Sequence, residues 1–496
     1  MRAVDARLEL ALALNAIEQR LVTAPDDVAL RYDRARCIQG LGRAQDALHA
    51  YRDVLAQDLD HVRAMNAFGL LLLDAGEQAD AETVFAEAAT RHPRDAESHA
   101  NLAFTRARRG DLAGARAHYE RALRLAPDLA IAHHGLAAVL ERLGEHAAAR
   151  EHRTLGLAHR PLTELRYRGR GAATRVLVVG TAADGNLVTT RLLDDRVFLT
   201  YALVVDHYDP AQPLPAHDLV FNVIGEADAC APQLAAAQAL LRTTDAPVLN
   251  PPSAVLATTR EAIARRMGTL EDVVAPAVVR LSRTQLAAPD ALTLLARNGI
   301  LPPFLLRTPG HHGGDHFMRI DEKQALREVL AALPGEELLA IAYLDARDAD
   351  GTVRKYRAMI VDGALYPLHL ALGNRWKLHY FSADMIDAPA HRAADAAFLA
   401  DLPAALGPRT TAALERVRDA LGLDYGGIDF GVDRDGRLLL FEANATMVVP
   451  AHDPNPVFAY RRPAVDHILG AVRAMLLRRA RGPGGTEPAP RNASPC

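Results

Sequence analysis

Residues 426–446 read GGIDFGVDRDGRLLLFEANAT, and they decide how the C-terminal part of the chain folds. The Asp-Gly pair at 435–436 is a hairpin turn signal flanked by alternating apolar residues, so two antiparallel strands are predicted. Side chains two residues apart on a strand share a face, which brings Glu442 and Asn444 together. If the turn pairs the strands, Asp429 lies close to them.

These three side chains offer only oxygen atoms as metal ligands. Carboxylate and amide oxygens without cysteine or histidine suit a hard cation such as Mg²⁺, which keeps several waters and bridges to phosphates. The alternative is a surface hairpin with acidic residues around its turn. Spacing alone does not separate the two interpretations.

The same residues resemble the metal-binding signature of the ATP-grasp superfamily. An Asp is followed by a Glu thirteen residues later and an Asn two beyond it, within Phe-Glu-Ala-Asn-Ala-Thr at 441–446. The superfamily includes D-alanine–D-alanine ligases, glutathione synthetases and ligases that add glutamate to protein tails. Its members typically use ATP and Mg²⁺ to join a carboxylate to an amine through an acylphosphate. The resemblance implies that Asp429, Glu442 and Asn444 bind Mg²⁺.

Length and composition limit the classes of protein. A chain of 496 residues predicts two or three domains, and half of its residues are apolar. The net charge of −4 gives no argument for a nucleic-acid or membrane partner. Three distant cysteines predict neither a disulfide framework nor a cysteine zinc site. Without a continuous apolar N-terminal region or a run of eighteen apolar residues, a cytoplasmic protein is expected.

The first 160 residues contain an internal repeat of 34 residues. Small residues and aromatic residues recur at this step, and Pro93 and Pro127 close successive units. The recurring glycines are Gly42, Gly76, Gly110 and Gly144. Such a period indicates paired helices that turn at the glycine and stop at the proline. The pattern resembles the tetratricopeptide repeat (TPR) over residues 28–160, and a helical-repeat domain is predicted for residues 1–160.

The TPR resemblance implies a solenoid that binds a peptide or protein segment. Asn101 occupies a register in which that family often contacts peptide backbone or a terminal carboxylate. The equivalent positions hold Asp33, Ala67 and Gly135, so the full carboxylate clamp is absent. The alternatives are a solvated helix face or repeats that serve only self-association, as in a homo-oligomer.

Residues 161–173 lose the helical period and are predicted as a linker. Short apolar strands alternating with helices then predict an α/β subdomain over 174–252. Gly180, Gly185 and Asp206 resemble half of a dinucleotide-binding fingerprint, but their spacing misses the three-glycine pattern. The N-terminal subdomain of ATP-grasp proteins has a similar layout and accounts for the same residues.

Residues 253–478 are predicted as the ATP-grasp nucleotide-binding domain. A strand ending in Arg307 leads into a glycine-rich loop whose N–H groups suit phosphate oxygens. The resemblance implies a flap over ATP formed by Gly310, His311, His312, Gly313 and Gly314. Arg307 and Arg260 stand where the family usually has lysines that meet the phosphates. Arginine keeps the charge but changes the shape of the donor.

Two further segments are assigned to the nucleotide by resemblance. Tyr343 and Leu344 end a strand that resembles the one reaching the adenine hinge, although Ala342 replaces its usual acidic residue. Alternation puts Lys355 and Arg357 on one strand face, suited to phosphate or carboxylate. Arg357 matches an arginine of ATP-grasp ligases, and Arg357 and Arg307 are the two predicted catalytic residues. The alternative for the strand that contains Lys355 and Arg357 is a charged edge strand without a ligand.

A basic and aromatic segment at 365–381 could line the acceptor pocket or form a packed core edge. The residues predicted there to contact substrate are His369, Lys377 and His379. Asn222 and Glu226 are also predicted to contact substrate. They belong to the segment 218–226, a predicted strand that ends in a polar loop.

These predictions describe a multidomain chain. An all-α TPR solenoid is followed by an α/β–α+β ATP-grasp fold, and residues 479–496 form a disordered tail. The predicted function is an ATP- and Mg²⁺-dependent ligase that joins a carboxylate to an amine, with a small-molecule or peptidyl substrate recruited by the repeats. The alternative is a nucleotide-binding TPR scaffold or adaptor with a degenerate site that performs no ligation.

Overall fold

The computed structural model describes residues 2–310, 316–322, 325–348, 350–378 and 385–482, excluding the side chains of 2–8 and 325. It contains two compact units, Met1–Arg160 and Pro161–Cys496. Five residues predicted at the site lie outside the described part of the chain: His311, His312, Gly313, Gly314 and His379.

The described part of the N-terminal unit is built from helices, and each helix packs against the next along the chain. In order they are α1 (Arg2–Thr23), α2 (Val28–Gly40), α3 (Ala44–Gln57), α4 (Val62–Ala75), α5 (Gln78–Arg91), α6 (Ala96–Arg109), α7 (Leu112–Leu125), α8 (Ala130–Arg142) and α9 (His146–His159). The 34-residue repeat of paired helices is therefore confirmed.

Two kinds of glycine explain why this sequence forms repeats. Gly110 caps α6 with a φ of 94°, a left-handed conformation that glycine adopts without steric cost. Gly69, on α4, leaves room for a neighbouring ring, because a Cβ there would lie 2.5 Å from Phe85 of α5. Phe85 is fully buried. Small residues at fixed registers thus let the helices of a repeat approach closely.

The described part of the C-terminal unit mixes helices with three sheets. Its elements, in order, are β1 (Leu162–Glu164), β2 (Thr174–Gly180), β3 (Phe198–Val204), β4 (Leu219–Asn222), α10 (Ala231–Leu240), β5 (Val248–Leu249), α11 (Pro252–Leu256), α12 (Arg260–Met267), β6 (Val273–Val274), β7 (Val278–Ser282), α13 (Arg283–Ala287), α14 (Ala291–Arg297), β8 (Phe304–Arg307), β9 (Phe317–Ile320), α15 (Ala325–Ala332), β10 (Glu337–Ala342), β11 (Val353–Val361), β12 (Ala364–Gly373), α16 (Pro389–Ala400), α17 (Leu402–Leu421), β13 (Tyr425–Val432), β14 (Leu438–Asn444) and α18 (Arg462–Arg481).

The first sheet has the order β1-β3-β2-β4-β5, and its strands run parallel except for β1. The segment predicted as a linker at 161–173 therefore contributes a strand to this sheet. The second sheet, β7-β10-β8-β9, is antiparallel. Its core includes the buried Leu295, Phe304 and Leu338.

The third sheet has the order β12-β11-β13-β14-β6 and contains the predicted hairpin as β13 and β14. Asp429 pairs directly with Glu442 across the hairpin, and an irregularity follows between Asp429 and Phe430. The Asp433 carboxylate accepts the N–H groups of Asp435 and Arg437, at 2.9 and 2.8 Å, and holds the turn. The predicted hairpin is therefore observed, and it brings Asp429 close to Glu442.

The first and third sheets share one hydrophobic core. Leu177 and Val220 of the first sheet belong to the same buried cluster as Ala358 and Ile428 of the third. Residues 174–252 therefore do not have a core of their own.

The end of the chain differs from the prediction at three residues. Helix α18 continues to Arg481, whereas residues 479–496 were predicted to be disordered. Positions 483–496 lie outside the described part of the chain. Among the residues that are described, no helix is long and apolar enough to cross a membrane.

Candidate functional site

A cavity of about 450 Å³ in the C-terminal unit is lined by residues of the second and third sheets. The second sheet contributes residues of β8 and β10, and the third contributes residues of β11, β13 and β14. This volume is within the range of small-molecule and cofactor sites. The lining contains Asp429, Glu442 and Asn444 together, as the hairpin predicts.

Asp429 is fully buried and lies between two cations. Its carboxylate accepts from Arg357 Nε at 2.5 Å and Nη2 at 2.7 Å, and Lys355 Nζ lies 2.7 Å away. Burial alone would raise the pKa of Asp429, but the charges of Arg357 and then Lys355 outweigh it and hold the pKa well below its usual range. Asp429 is therefore ionised at neutral pH.

Glu442 faces a different cation. Its Oε1 accepts from Arg260 Nη2 at 2.7 Å and from Asn444 Nδ2 at 2.8 Å. Burial would raise the pKa of Glu442, but the charges of Arg260 and Arg307 lower it to about 2. Asn444 is oriented in turn, because its Oδ1 accepts from the N–H and the hydroxyl of Thr446, each at 3.0 Å.

The cavity wall carries an excess of positive charge. The described residues of the lining include two carboxylates and five cationic side chains. The cations are Arg260, Arg307, Lys355, Arg357 and Lys377. Burial, and then the charge of Arg260, lower the pKa of Arg307 to about 10, so it stays protonated at neutral pH. Such a wall favours a ligand with several negative charges.

Aromatic side chains lie along another part of the same wall. Tyr343 and Leu344, directly after β10, line the cavity with Phe317 and Trp376. Phe317 and Trp376 pack edge to face with ring centroids 5.6 Å apart. The cavity therefore offers aromatic side chains as well as cations, as a ligand with an aromatic ring and an anionic tail requires.

A loop after β4 completes one side of the site, and sequence reasoning missed one of its residues. Asp228 accepts from Arg260 N–H at 3.1 Å and from Arg280 Nη2 at 2.7 Å, which fixes the start of α12. Gly225 lets this loop approach the hairpin, because a Cβ there would lie 2.9 Å from the Ala445 carbonyl carbon. The signal in the sequence that could have identified Asp228 is its position two residues after Glu226 in the same acidic loop.

The other predicted substrate residues lie in different surroundings. Lys377 lines the main cavity, and Glu226 lines an adjoining cavity of about 40 Å³ with Arg260 and Glu442. Asn222 is fully buried, and its Nδ2 donates to the Asn250 carbonyl at 2.8 Å, which is a structural contact.

His369 lies behind the cavity wall. It sits on β12 opposite Arg357, and burial and then the charge of Arg357 hold its pKa well below its usual value. It is outside the described lining of the main cavity, as is Gly310. In the N-terminal unit, Asn101 donates to Asn66 Oδ1 at 3.1 Å, so its amide is engaged within the repeats.

The donor set has the chemistry of a Mg²⁺ site. Two carboxylates and an amide supply oxygen only, and waters and phosphates commonly complete such a shell. Both Asp429 oxygens accept from cations, so a metal ion would compete with Arg357 and Lys355 for them. In the described part of the chain, no group of three or more His, Cys, Asp or Glu side chains is arranged to hold a metal ion.

Comparison with known proteins identifies part of the N-terminal unit. Residues 105–144 match the TPR repeat family model. Among curated proteins, none matches the chain.

Solved structures similar to the chain cover about a third of it. MamA from Desulfovibrio magneticus RS-1 is 22% identical over 32% of this chain and 88% of its own, with a TM-score of 0.28. PilF of Pseudomonas aeruginosa is 22% identical over 31% and 70%, with a TM-score of 0.29. YrrB, described as a TPR protein with an unusual peptide-binding site, is 15% identical over 32% and 82%, with a TM-score of 0.27.

Proposed function

We propose that the C-terminal unit is an ATP-grasp domain that binds ATP with Mg²⁺ and joins a carboxylate to an amine. The observation that carries the proposal is the convergence of Asp429, Glu442 and Asn444 with five cationic side chains in the lining of one cavity. Metal-binding oxygens beside phosphate-binding cations are what a Mg²⁺–polyphosphate ligand needs.

The mixed aromatic and cationic lining of the cavity supports a nucleotide in particular. The adenine would contact the apolar part of the wall at Tyr343 and Leu344. The phosphates would lie towards Arg260, Arg307 and Arg357, where charge-assisted hydrogen bonds hold oxygen atoms of a polyanion. Mg²⁺ held by the three hairpin ligands would supply neutralisation of phosphate charge during phosphoryl transfer.

Two of the cations are held in place by the carboxylate of the hairpin. Arg357 and Lys355 contact Asp429, so a phosphate group can compete with that carboxylate for their N–H groups. Arg307 is buried beside Phe317, its guanidinium carbon 5.5 Å from the ring centroid. Prepositioned charges in a cavity contribute strongly to transfer of a charged group.

The TPR repeats support a protein-interaction role for the N-terminal unit. We therefore propose that they recruit a peptide or protein segment that carries the carboxylate or the amine.

A nucleotide-binding scaffold without ligation is the second candidate. It is favoured by Arg260 and Arg307, which stand where the ATP-grasp family usually has lysines. It is also favoured by the bidentate contact in which Arg357 occupies both carboxylate oxygens of Asp429. The two candidates share nucleotide binding and differ in turnover.

Calorimetric titration of the full chain with ATP, with and without Mg²⁺, tests the shared step. We expect binding that strengthens with Mg²⁺ in the wild type, and loss of the Mg²⁺ effect in Glu442→Gln. The control Glu415→Gln removes an exposed carboxylate of α17 and should bind as the wild type does. Absence of binding at millimolar ATP and Mg²⁺ would overturn both candidates. ADP release that depends on an added peptide and amine separates the ligase from the scaffold.

A further inference from the structure

Two histidine pairs, each with one buried ring, recur at the repeat period in the N-terminal unit. His99 of α6 and His118 of α7 have their Nδ1 atoms 3.1 Å apart. His133 of α8 and His152 of α9, each 34 residues further on, have theirs 2.9 Å apart. Each pair joins the two helices of one repeat.

Backbone carbonyls determine which atom carries the proton in each ring. His99 Nε2 lies 3.2 Å from the Pro93 carbonyl, and His133 Nε2 lies 2.8 Å from that of Pro127. A carbonyl only accepts, so Nε2 of both buried rings is protonated and Nδ1 of each neutral ring is bare. The partner Nδ1 therefore donates, and each pair forms one N–H···N hydrogen bond.

The repeat fold does not require histidine at these positions. One repeat earlier the equivalent positions hold Met65 and Val84, two apolar residues. Met65 is buried. The third and fourth repeats thus contain a titratable contact where the second has aliphatic side chains.

We propose that these pairs make helices α6–α9 a proton-sensitive part of the repeat array, which opens on acidification while α4 and α5 do not. The outer ring, His118 or His152, can take a proton on Nε2 and still donate from Nδ1. A second proton has to enter on Nδ1 of the inner ring, where it would face another N–H. Each pair therefore keeps its hydrogen bond with at most one added proton.

The surroundings of the first pair oppose even that proton. Burial, followed by the charges of Arg106 and His99, lowers the pKa of His118 to about 4, and Asp111 offsets this only in part. Arg121 lies nearby and donates to the same Pro93 carbonyl, at 3.4 Å.

The surroundings of the second pair also oppose protonation of its outer ring, His152. Burial and then His133 lower the pKa of His152, while Glu151 and Glu120 act in the opposite direction. His159 stacks on His133 with ring centroids 5.8 Å apart. Burial, followed by the charges of His133 and Arg160, also lowers the pKa of the adjacent His134.

The sign of the effect follows from these directions. A histidine whose pKa is depressed in the folded state stabilises that state fully above its unfolded value, near 6.5. The contribution falls as pH drops from about 6.5 towards the folded value. An opened state with one freed outer imidazole becomes about tenfold more populated at pH 5.5 than at pH 7.5.

Hydrogen exchange of the full chain at pH 7.5 and 5.5, corrected for intrinsic rates, measures this opening helix by helix. We expect exchange in α6 and α7 to rise about tenfold, and exchange in α8 and α9 to rise in the same direction, each by more than in α4 and α5. The double variant His99→Met/His118→Val installs the residues of the preceding repeat. It should remove the rise in α6 and α7 and leave that in α8 and α9.

A second variant protects the test against a failure to fold. His118→Gln retains an N–H donor for His99 Nδ1 but does not titrate, so it should fold and lose the rise in α6 and α7. An equal rise in every helix, or an unchanged rise in both variants, would overturn the proposal. Protection of wild-type α6–α9 by added Zn²⁺, absent in the variants, would also overturn it by identifying the pairs as metal ligands.

Discussion

Replacing the buried carboxylate of the cavity by an amide, Asp429→Asn, should destabilise the C-terminal unit strongly. The change keeps the size of the side chain but removes the negative charge between Arg357 and Lys355. These cations are only 22% and 20% exposed in their side chains, so water replaces the lost partner poorly. Two like charges then remain close together at a partly buried site.

The magnitude follows from the burial of the pair. Removing one partner of a buried ion pair costs about 3–5 kcal/mol. Because both cations keep some contact with solvent, we expect a loss of about 3 kcal/mol in the free energy of unfolding at pH 7. A matched control is Asp345→Asn, which breaks a bidentate Arg347 pair whose side chains are 46% and 52% exposed. An exposed pair contributes at most about 1 kcal/mol.

The only tryptophan provides an assay confined to this unit. Trp376 lines the cavity, so its fluorescence during urea unfolding reports the C-terminal unit and not the repeats. Both variants should be measured in the absence of nucleotide. Equal midpoints for Asp429→Asn and Asp345→Asn would refute the argument, because burial would then have no effect on the value of the charge pair.

Three further predictions concern other parts of the chain. Gly69→Val should destabilise the N-terminal unit by about 2 kcal/mol, because the new Cβ would lie 2.5 Å from the Phe85 ring. The control Gly470→Ala should not destabilise the chain, because nothing in the surrounding structure lies within 4 Å of its new Cβ. Circular dichroism during thermal unfolding compares the two variants. Arg307→Met should weaken Mg²⁺–ATP binding at least tenfold in calorimetry, and unchanged affinity would remove Arg307 from the phosphate site. Glu442, whose pKa is lowered to about 2, stabilises the fold above its unfolded pKa near 4.5, so about 2 kcal/mol should be lost between pH 5 and pH 3. Tryptophan fluorescence should show a smaller loss in Glu442→Gln.

The repeats and the hairpin were predictable because local rules determine them. The 34-residue glycine spacing marks helix ends, and each such end needs a left-handed residue. The Asp-Gly turn at 435–436 indicates a hairpin, and the pairing of its two strands, with one irregularity after Asp429, places Asp429 opposite Glu442. In both cases the decisive contacts lie close together in sequence.

Long-range pairing accounts for what the sequence did not predict. Arg357 and Lys355 were expected to face phosphate, yet their contact with Asp429 depends on β11 pairing with β13 across a large sequence separation. Asp228 fixes α12 through contacts that no local pattern contains. The histidine pairs were missed because each joins side chains from two different helices, and their contact depends on how those helices pack.

The buried core shared by the first and third sheets bears on how this chain could be recombined. Ala358 and Ile428 of the third sheet belong to one cluster with Leu177 and Val220 of the first. In a chimaera of this chain and a related protein, a junction near residue 252 would leave one part of that cluster from each protein. A mismatch in side-chain volume between the two parts would then leave a cavity or a clash. A junction near residue 160 falls between the two compact units. Chimaeras that exchange the repeat array should therefore be recovered as folded proteins far more often than chimaeras that exchange residues 174–252 alone.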